Sequence, residues 1–278
     1  MKTKFKAFML MTMFAISASA MAATQVTISG GAKGGAYQAA SYQLIDGMKR
    51  QGHKLEYMAS KGSSENLERV LNGTATVGIA QLDDYASFIK ENPQANSMIE
   101  IIGTVSRECA YVVSKDGGKV SSDQDLMKKG IKVAVGGKGS GSATTWDYMT
   151  SLEKGFLEAD TVWKGGARTL GKVASGQVDA FMWVTNPNKL SHKLLTSALA
   201  ANLKFVPVTD WDLNDSLPTT GESVYSFEKV VTQKGFIDST YKTICTKAVI
   251  VANSEGDEEL LEDLSSFALK YSKQLSKS

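Results

Sequence analysis

Apolar residues in this chain alternate over short runs and recur at helical spacing over longer ones, and the switches between the two rhythms fall at glycines. Val26 and Ile28 predict a short strand, and Tyr37, Ala40, Leu44, Ile45 and Met48 predict a helix ending near Arg50 and Gly52. Leu55 and Tyr57 alternate as a strand, a helix runs from Ser63 to Asn72-Gly73, and Val77-Gly78-Ile79-Ala80 reads as a buried strand entering Gln81-Leu82-Asp83. After a helix through Tyr85 and Ile89, the chain is extended from Ile101 through Cys109-Ala110-Tyr111-Val112-Val113 to a turn at Lys115-Asp116-Gly117-Gly118. The pattern then restarts. Residues 131–135 predict a strand, Trp146, Met149 and Leu152 a helix face, and residues 178–183 a second strand; Asn186-Pro187-Asn188 caps a helix through Leu195, and Phe205-Val206-Pro207-Val208 closes the unit. Residues 210–241 carry no clear period, 244–252 are β-like, and 257–275 form an amphipathic helix with Leu260, Leu261, Leu264, Phe267, Ala268 and Tyr271 on one face.

The order is α/β, and it contains a quasi-repeat: Leu67, Val70 and Gly73 precede one buried strand as Leu170, Val173 and Gly176 precede another. Two lobes follow from this. The extended stretches on either side of the second unit read as crossing strands, which makes residues 113–245 a lobe inserted between residues 23–112 and 246–278.

Three of the rhythm switches share one device, a glycine-rich loop opening a helix: residues 29–37, residues 61–65 and residues 136–142. Bare backbone amides and the positive end of the helix dipole favour an anion at such a place. Each loop taken alone is also an ordinary strand-to-helix connection; the three together suggest one site built between them. The candidate contacts are Gly31, Lys33, Gly34, Gly35 and Tyr37 in the first loop, Ser63 and Ser64 in the second, and Ser140, Gly141 and Ser142 in the third. Gln81 joins them, at a strand C-terminus where open α/β sheets place ligand contacts, as does Trp183. Ser63, Ser64 and Asp83 also read as plain helix caps. A tight site needs a cationic or aromatic contribution besides helix starts; Lys33, Arg107, Lys138 and Arg168 are the cations available, each better read as a plain solvated charge, and Tyr37, Trp146 and Trp183 the aromatics, of which Tyr37 is favoured as part of the first loop and Trp146 reads better as core.

The chain's beginning changes the picture. Lys2, Lys4 and Lys6, an apolar run from Phe8 to Ile16 and the small residues that follow read as a secretory signal peptide cleaved after Ala22. Without those lysines the 31 basic residues become 28 against 29 acidic ones, so the charge of +2 becomes about −1, which offers no electrostatic case for nucleic acid. No later stretch is long and apolar enough to predict a membrane span. Export to an oxidising compartment makes Cys109 and Cys245 a disulfide candidate, with two buried thiols as the alternative. If the crossing strands are antiparallel neighbours, a bridge is geometrically open to them.

Catalytic motifs are missing. The first loop does not space its glycines as G-x-G-x-x-G, no P-loop occurs, and no G-x-S-x-G elbow is present; His53 and His192 are the only histidines and lie in no H-E-x-x-H pattern. Ser140 has no evident base. The reading is a binding protein without cofactor or metal, and not an enzyme.

The ordered set Thr27-Ile28-Ser29-Gly30-Gly31 with Gly34, Gly35 and Tyr37; Gly62-Ser63-Ser64-Glu65-Asn66-Leu67 with Gly73 and Gln81-Leu82-Asp83; Val133-Ala134-Val135-Gly136 with Gly139-Ser140-Gly141-Ser142; and Gly176-Gln177-Val178-Asp179-Ala180 resembles the TRAP-associated extracytoplasmic immunogenic (TAXI) family. These are solute-binding proteins of tripartite ATP-independent periplasmic (TRAP) transporters. The resemblance implies a type 2 periplasmic binding protein, two α/β lobes on hinge strands in a Venus-flytrap arrangement. It also implies a periplasmic monomer that closes on a small anionic solute, a carboxylate or an amino acid such as glutamate, and delivers it to membrane permease subunits. Ala143-Thr144-Thr145-Trp146 and the short C-terminal part depart from the family pattern. The binding subunit of an ATP-driven (ABC) importer, or the ligand-sensing partner of a receptor, uses the same fold for another output; neighbouring permease, ATPase or kinase genes separate the three.

Overall fold

A computed structural model describes residues 26–277, so the leader read at residues 1–22 lies outside the described residues. The first half begins with β1 (Val26–Ser29), α1 (Ala36–Lys49), β2 (Leu55–Met58), α2 (Ser63–Leu71), β3 (Val77–Gln81), α3 (Leu82–Glu91) and the single turn α4 (Ala95–Met98). The crossing strand β4 (Ile99–Ser114) leads to the second half: α5 (Asp123–Leu126), β5 (Lys132–Ala134), α6 (Gly141–Leu152), β6 (Asp160–Val162), α7 (Ala167–Ala174), β7 (Ala180–Thr185), α8 (Lys193–Ala200) and the short β8 (Lys204–Phe205). The chain returns through β9 (Ser226–Gln233) and a second long crossing strand, β10 (Ser239–Asn253), and finishes on α9 (Glu258–Lys270) and α10 (Ser272–Leu275).

The sheet order is β2-β1-β3-β10-β4-β7-β5-β6, with β8 beside β4 and β9 beside β10. β1 pairs parallel with β2 and β3, and β5 parallel with β6 and β7, while β10 runs antiparallel to β3 and β4 antiparallel to β7. Each half is thus a βαβ sheet closed by one antiparallel crossing strand, and the two crossing strands pair with each other from Ile99 opposite Asn253 to Cys109 opposite Cys245. At that last rung the two cysteines form a disulfide, and Cys109 is also the first β4 residue to pair with β7, opposite Thr185.

The packing follows the apolar pattern. Ala40, Leu44 and Met48 of α1 meet Leu264, Phe267 and Ala268 of α9 over one face of the first half, and Leu67 and Val70 of α2 join the core on the other. Leu170 and Val173 of α7 repeat the α2 arrangement in the second half. The glycines of the quasi-repeat explain its recurrence: Gly73 and Gly176 end their helices with φ of 72° and 75°, the left-handed turn that closes a helix and that side-chain-bearing residues disfavour.

Four expectations shift. Residues 210–241 are structured by β9, which pairs with an extension of β10 back to Ser239, so the strand expected from residue 244 is longer than its apolar core. Asn186 caps no helix directly: its side chain accepts the Asn188 amide at 2.9 Å in a local turn, and α8 starts only at Lys193. The C-terminal helix is broken at Tyr271. Strand β5 is shorter than 131–135, since Ile131 and Val135 lie outside it.

Candidate functional site

Three strand ends feed the three glycine loops: β1 leads to α1, β2 to α2 and β5 to α6. Gly35 and Gly62, which precede α1 and α2, offer no side-chain cap, so the first-turn amides of both helices have no intrahelical acceptor and no capping oxygen. Ser140 precedes α6 and accepts the Ala143 amide at 3.4 Å, leaving the Gly141 and Ser142 amides ahead of it. The three helix starts open on one cleft of about 310 Å³. Its walls are Gly31, Ala32, Gly35, Ala36 and Tyr37 from the first loop, Lys61, Gly62 and Ser63 from the second, and Ser140, Gly141 and Ser142 from the third, with Gln81, Glu108 and Val184 between them. A larger groove, about 490 Å³, runs between β4 and α9, but Glu100, Glu258 and Glu262 line it and the start of α9 is capped by its own Asp257; it offers an anion nothing.

The expected contacts divide. Gly31, Gly35, Tyr37, Ser63, Gln81, Ser140, Gly141 and Ser142 line the cleft. Within it the hydroxyls of Ser63 and Ser142 are engaged, accepting the backbone amides of Gln81 at 3.0 Å and Val184 at 2.9 Å. Lys33 and Gly34 do not line it: both are exposed at the tip of the first loop, and the Gly34 amide is taken by Gln38 Oε1 at 2.7 Å. Ser64 turns away, donating to Asp84 at 3.0 Å. Trp183 belongs to the core, stacked on Tyr111 with ring centroids 5.4 Å apart. Successive residues of a strand point to opposite faces, so its neighbour Val184 takes the place in the cleft. None of the four candidate cations lines it. Arg107 pairs with Glu228, Lys138 lies over the Trp163 ring, Arg168 is exposed at the start of α7, and Trp146 is core, donating to Thr161 at 3.1 Å. Lys61 is the lysine or arginine that lines the cleft.

Glu108 is the residue that sequence reasoning missed. It sits on β4 one position before Cys109, is 8% exposed, and accepts the Tyr37 hydroxyl at 3.3 Å. Burial pushes its carboxyl up from 4.5 to about 7, the Asp83 charge pushes the same way, and the Tyr37 hydrogen bond and Lys189 oppose them. Burial likewise lifts the Tyr37 hydroxyl well above its ordinary value. The one signal in the sequence was a charged residue inside a predicted apolar crossing strand.

Behind the cleft the two halves are joined by a buried polar cluster. Asp83 Oδ2 accepts the hydroxyls of Thr145 on α6 at 2.6 Å and Tyr225 at 3.0 Å, and Gln81 Nε2 donates to Thr145 Oγ1 at 3.1 Å. Burial raises the Asp83 carboxyl and these bonds hold it back; Asp84 beside it is raised from 3.8 to about 7 by burial and by the Asp83 charge. Among the described residues no group of three or more His, Cys, Asp or Glu side chains is placed to hold a metal ion, and no helix is long and apolar enough to cross a membrane.

Against known proteins, the chain is 31% identical over 121 residues to the flagellar biosynthesis protein FlhF of Helicobacter pylori strain J99, a match over 43% of this chain and 26% of that one, so the chain spans about a quarter of the length of that relative. Its fold is similar to that of a putative L-cystine ABC transporter protein from Listeria monocytogenes, with a TM-score of 0.55, 13% identity, and coverage of 91% of this chain and 94% of the other. The GluR0 ligand-binding core in complex with L-glutamate matches at a TM-score of 0.54 and 12% identity, over 92% of this chain and 98% of that one. The architecture is that of the two-lobed periplasmic binding proteins. With the family model matching residues 28–275, nearly all of what the structure describes, the chain belongs to the NMT1-like family.

Proposed function

We propose that this protein is an extracytoplasmic solute-binding subunit of a transporter, and that it captures a small carboxylate-bearing solute between its two halves. The observation that carries the reading is the convergence of helix starts from both halves on a single cleft, the uncapped α1 and α2 from one and the Ser140-capped α6, with its Gly141 and Ser142 amides ahead of the cap, from the other. Ligand contacts from both sides exist together only when the halves are closed, so binding shifts the hinge equilibrium toward closure. A micromolar solute needs about 8 kcal/mol, and each helix start contributes about 0.3 to 2 kcal/mol; Tyr37, Lys61 and shape complementarity supply the remainder. The leader read at residues 1–22 supports a site of action outside the cytoplasm, and the resemblance to the TAXI family supports tripartite ATP-independent permease subunits as the partner, in a reading that has no enzymatic step. The likeness to an L-cystine ABC transporter protein supports a second reading, delivery to an ATP-driven importer.

Thermal-shift screening of small carboxylic acids against their neutral amides tests the site. A solute at a hundred times its Kd stabilises the fold by about 2.7 kcal/mol. The acids are expected to raise the melting temperature and the amides not to; amides that bind as tightly as the acids sink the proposal. Reconstituted uptake driven by an ion gradient or by ATP then decides the partner.

A further inference from the structure

The hairpin of β9 and β10 carries two large apolar side chains that no described residue covers. Phe236 and Ile237, at its tip, are 107% and 83% exposed. The tip is a formed turn: Gln233 pairs with Ser239 across it, Asp238 accepts the Gly235 amide at 3.2 Å, and Lys234 pairs with the same carboxylate at 2.8 Å. Farther back, Lys229 of β9 stands directly opposite Lys242 of β10. Both are exposed, and among the described residues neither forms an ion pair. The acids of the hairpin are already engaged, Glu228 with Arg107 and Asp238 with Lys234. Like charges placed directly opposite each other weaken a ladder. A lysine on an edge strand guards against stray pairing, which accounts for Lys229; it does not account for Lys242, whose carbonyl accepts the Val208 amide at 3.1 Å on the other side of β10.

We propose that this hairpin rests on an anionic phospholipid surface, with Phe236 and Ile237 entering the apolar boundary and Lys229 and Lys242 meeting the headgroups. The inference goes beyond the solute-binding reading and stands without it. Size selects the occupant. The two tip side chains offer about 300 to 400 Å² between them, less than half of the roughly 800 Å² that each partner buries in a stable protein interface. The flanking residues Gln233, Lys234, Ser239 and Thr240 are exposed and polar, so they add no apolar area. A bilayer needs no matching wall: an apolar side chain that enters it is covered on all sides, and lysines beside it gain from anionic headgroups. At about 3.4 Å per residue, Lys229 lies roughly 14 Å behind Gln233, so the lysine pair reaches the headgroups when the hairpin lies along the surface and not when it stands upright. The contact stops short of Trp211, which stacks on Phe227 farther back along β9 and has Asp210 and Asp212 as its neighbours in the chain. Such an attachment is weak and reversible, of the order of that of a single acyl chain at ~10⁴ M⁻¹. It holds the protein beside a membrane although no described helix is long and apolar enough to cross one.

The test is co-sedimentation of the processed chain, without residues 1–22, whose apolar run would itself enter lipid. The vesicles are phosphatidylcholine alone and phosphatidylcholine with about 30% phosphatidylglycerol, each at about 0.05 and 0.5 M salt. Binding to the anionic vesicles at low salt is expected, at least about tenfold tighter than to neutral vesicles or in high salt. Lys229→Gln and Lys242→Gln are each expected to weaken anionic binding about fivefold and to leave neutral vesicles unaffected. Phe236→Ser with Ile237→Ser is expected to weaken binding to anionic vesicles by at least about tenfold. All four side chains are exposed, so the variants should melt with the parent, which separates lost binding from lost folding. Binding to neither vesicle overturns the proposal, as does binding without an anionic preference or binding that the tip variant leaves unchanged. Self-association that Phe236→Ser removes, with no vesicle binding, also overturns it and makes a second copy the occupant, with Ile101, Ile102 and Leu261 in the groove between β4 and α9 as the receiving surface. The parent's behaviour on the two vesicles decides the matter even if a variant folds poorly.

Discussion

Removing the Glu108 charge should stabilise the unliganded protein, by an amount that grows from about pH 4.5 and levels off above about pH 7. Burial raises this carboxyl from 4.5 to about 7, so the folded chain holds its proton more tightly than the unfolded chain does. Its contribution to stability is therefore fully present below about pH 4.5 and is lost as pH rises through about 7. At 1.36 kcal/mol per pH unit the ionised group costs the folded state roughly 3 kcal/mol above pH 7.5. Gln keeps the shape and still accepts the Tyr37 hydroxyl but carries no charge, so Glu108→Gln should recover most of that amount there and almost none at pH 4.5. For a chain of this size about 1 kcal/mol moves the melting temperature by roughly 2 to 4 °C, which makes the expected gain roughly 6 to 12 °C at pH 8. Asp83 and Asp84 titrate in the same direction, but both proteins carry them, and Tyr37, Lys189 and Thr246 are also common to the pair. The measurement is the difference in melting temperature between variant and parent from pH 4.5 to 8, without solute. A difference that does not change with pH, or a variant less stable at pH 8, refutes the reasoning.

Two further outcomes are expected. The Cys109–Cys245 disulfide closes a loop with a sequence separation of 136 residues, for which the chain-entropy estimate is about 5 kcal/mol as an upper figure; full reduction should lower the denaturant midpoint accordingly, and an unchanged midpoint would sink the estimate. A Cβ at Gly62, whose φ is 144°, would sit 2.8 Å from the Gly139 carbonyl of the facing loop, whereas a Cβ at Gly52, with φ of 97°, meets nothing. Both alanine variants carry the strain of positive φ, about 1 to 2 kcal/mol, but only Gly62→Ala should also weaken binding of a carboxylate solute, by about tenfold or more; equal affinities in calorimetry would show that the loops need not meet.

Much of this organisation is legible because it is written in local signals. Glycine interrupts the apolar rhythm wherever a strand turns into a helix, and Leu-x-x-Val-x-x-Gly marks the same helix end in both halves at Gly73 and Gly176. The crossing strands show as apolar runs, and Cys109 and Cys245 fall at the rung where β4 passes from β10 to β7. What escapes is directional. β7 is buried on both faces, so its composition cannot tell that Val184 faces the cleft and Trp183 the core. Lys33 and Gly34 belong to the right loop but point outward from its tip. β9 escapes because most of its residues are exposed or half-exposed, with burial only at Val230 and Thr232, too little to set an apolar rhythm. Glu108 escapes for the opposite reason: a charge within a strand reads as a solvent-facing position until the fold places α1 over it.

The disulfide also governs how this molecule bears mechanical load. Both ends of the described chain, β1 and α10, belong to the first half, while everything between Cys109 and Cys245 hangs from the bond as a closed ring. A pull on the two ends passes through the sulfur atoms and bypasses that ring, so a contour length of roughly 480 Å, at about 3.5 Å per residue over a separation of 136, stays hidden until the bond is reduced. Under tension the first half can be drawn out while the second keeps its shape.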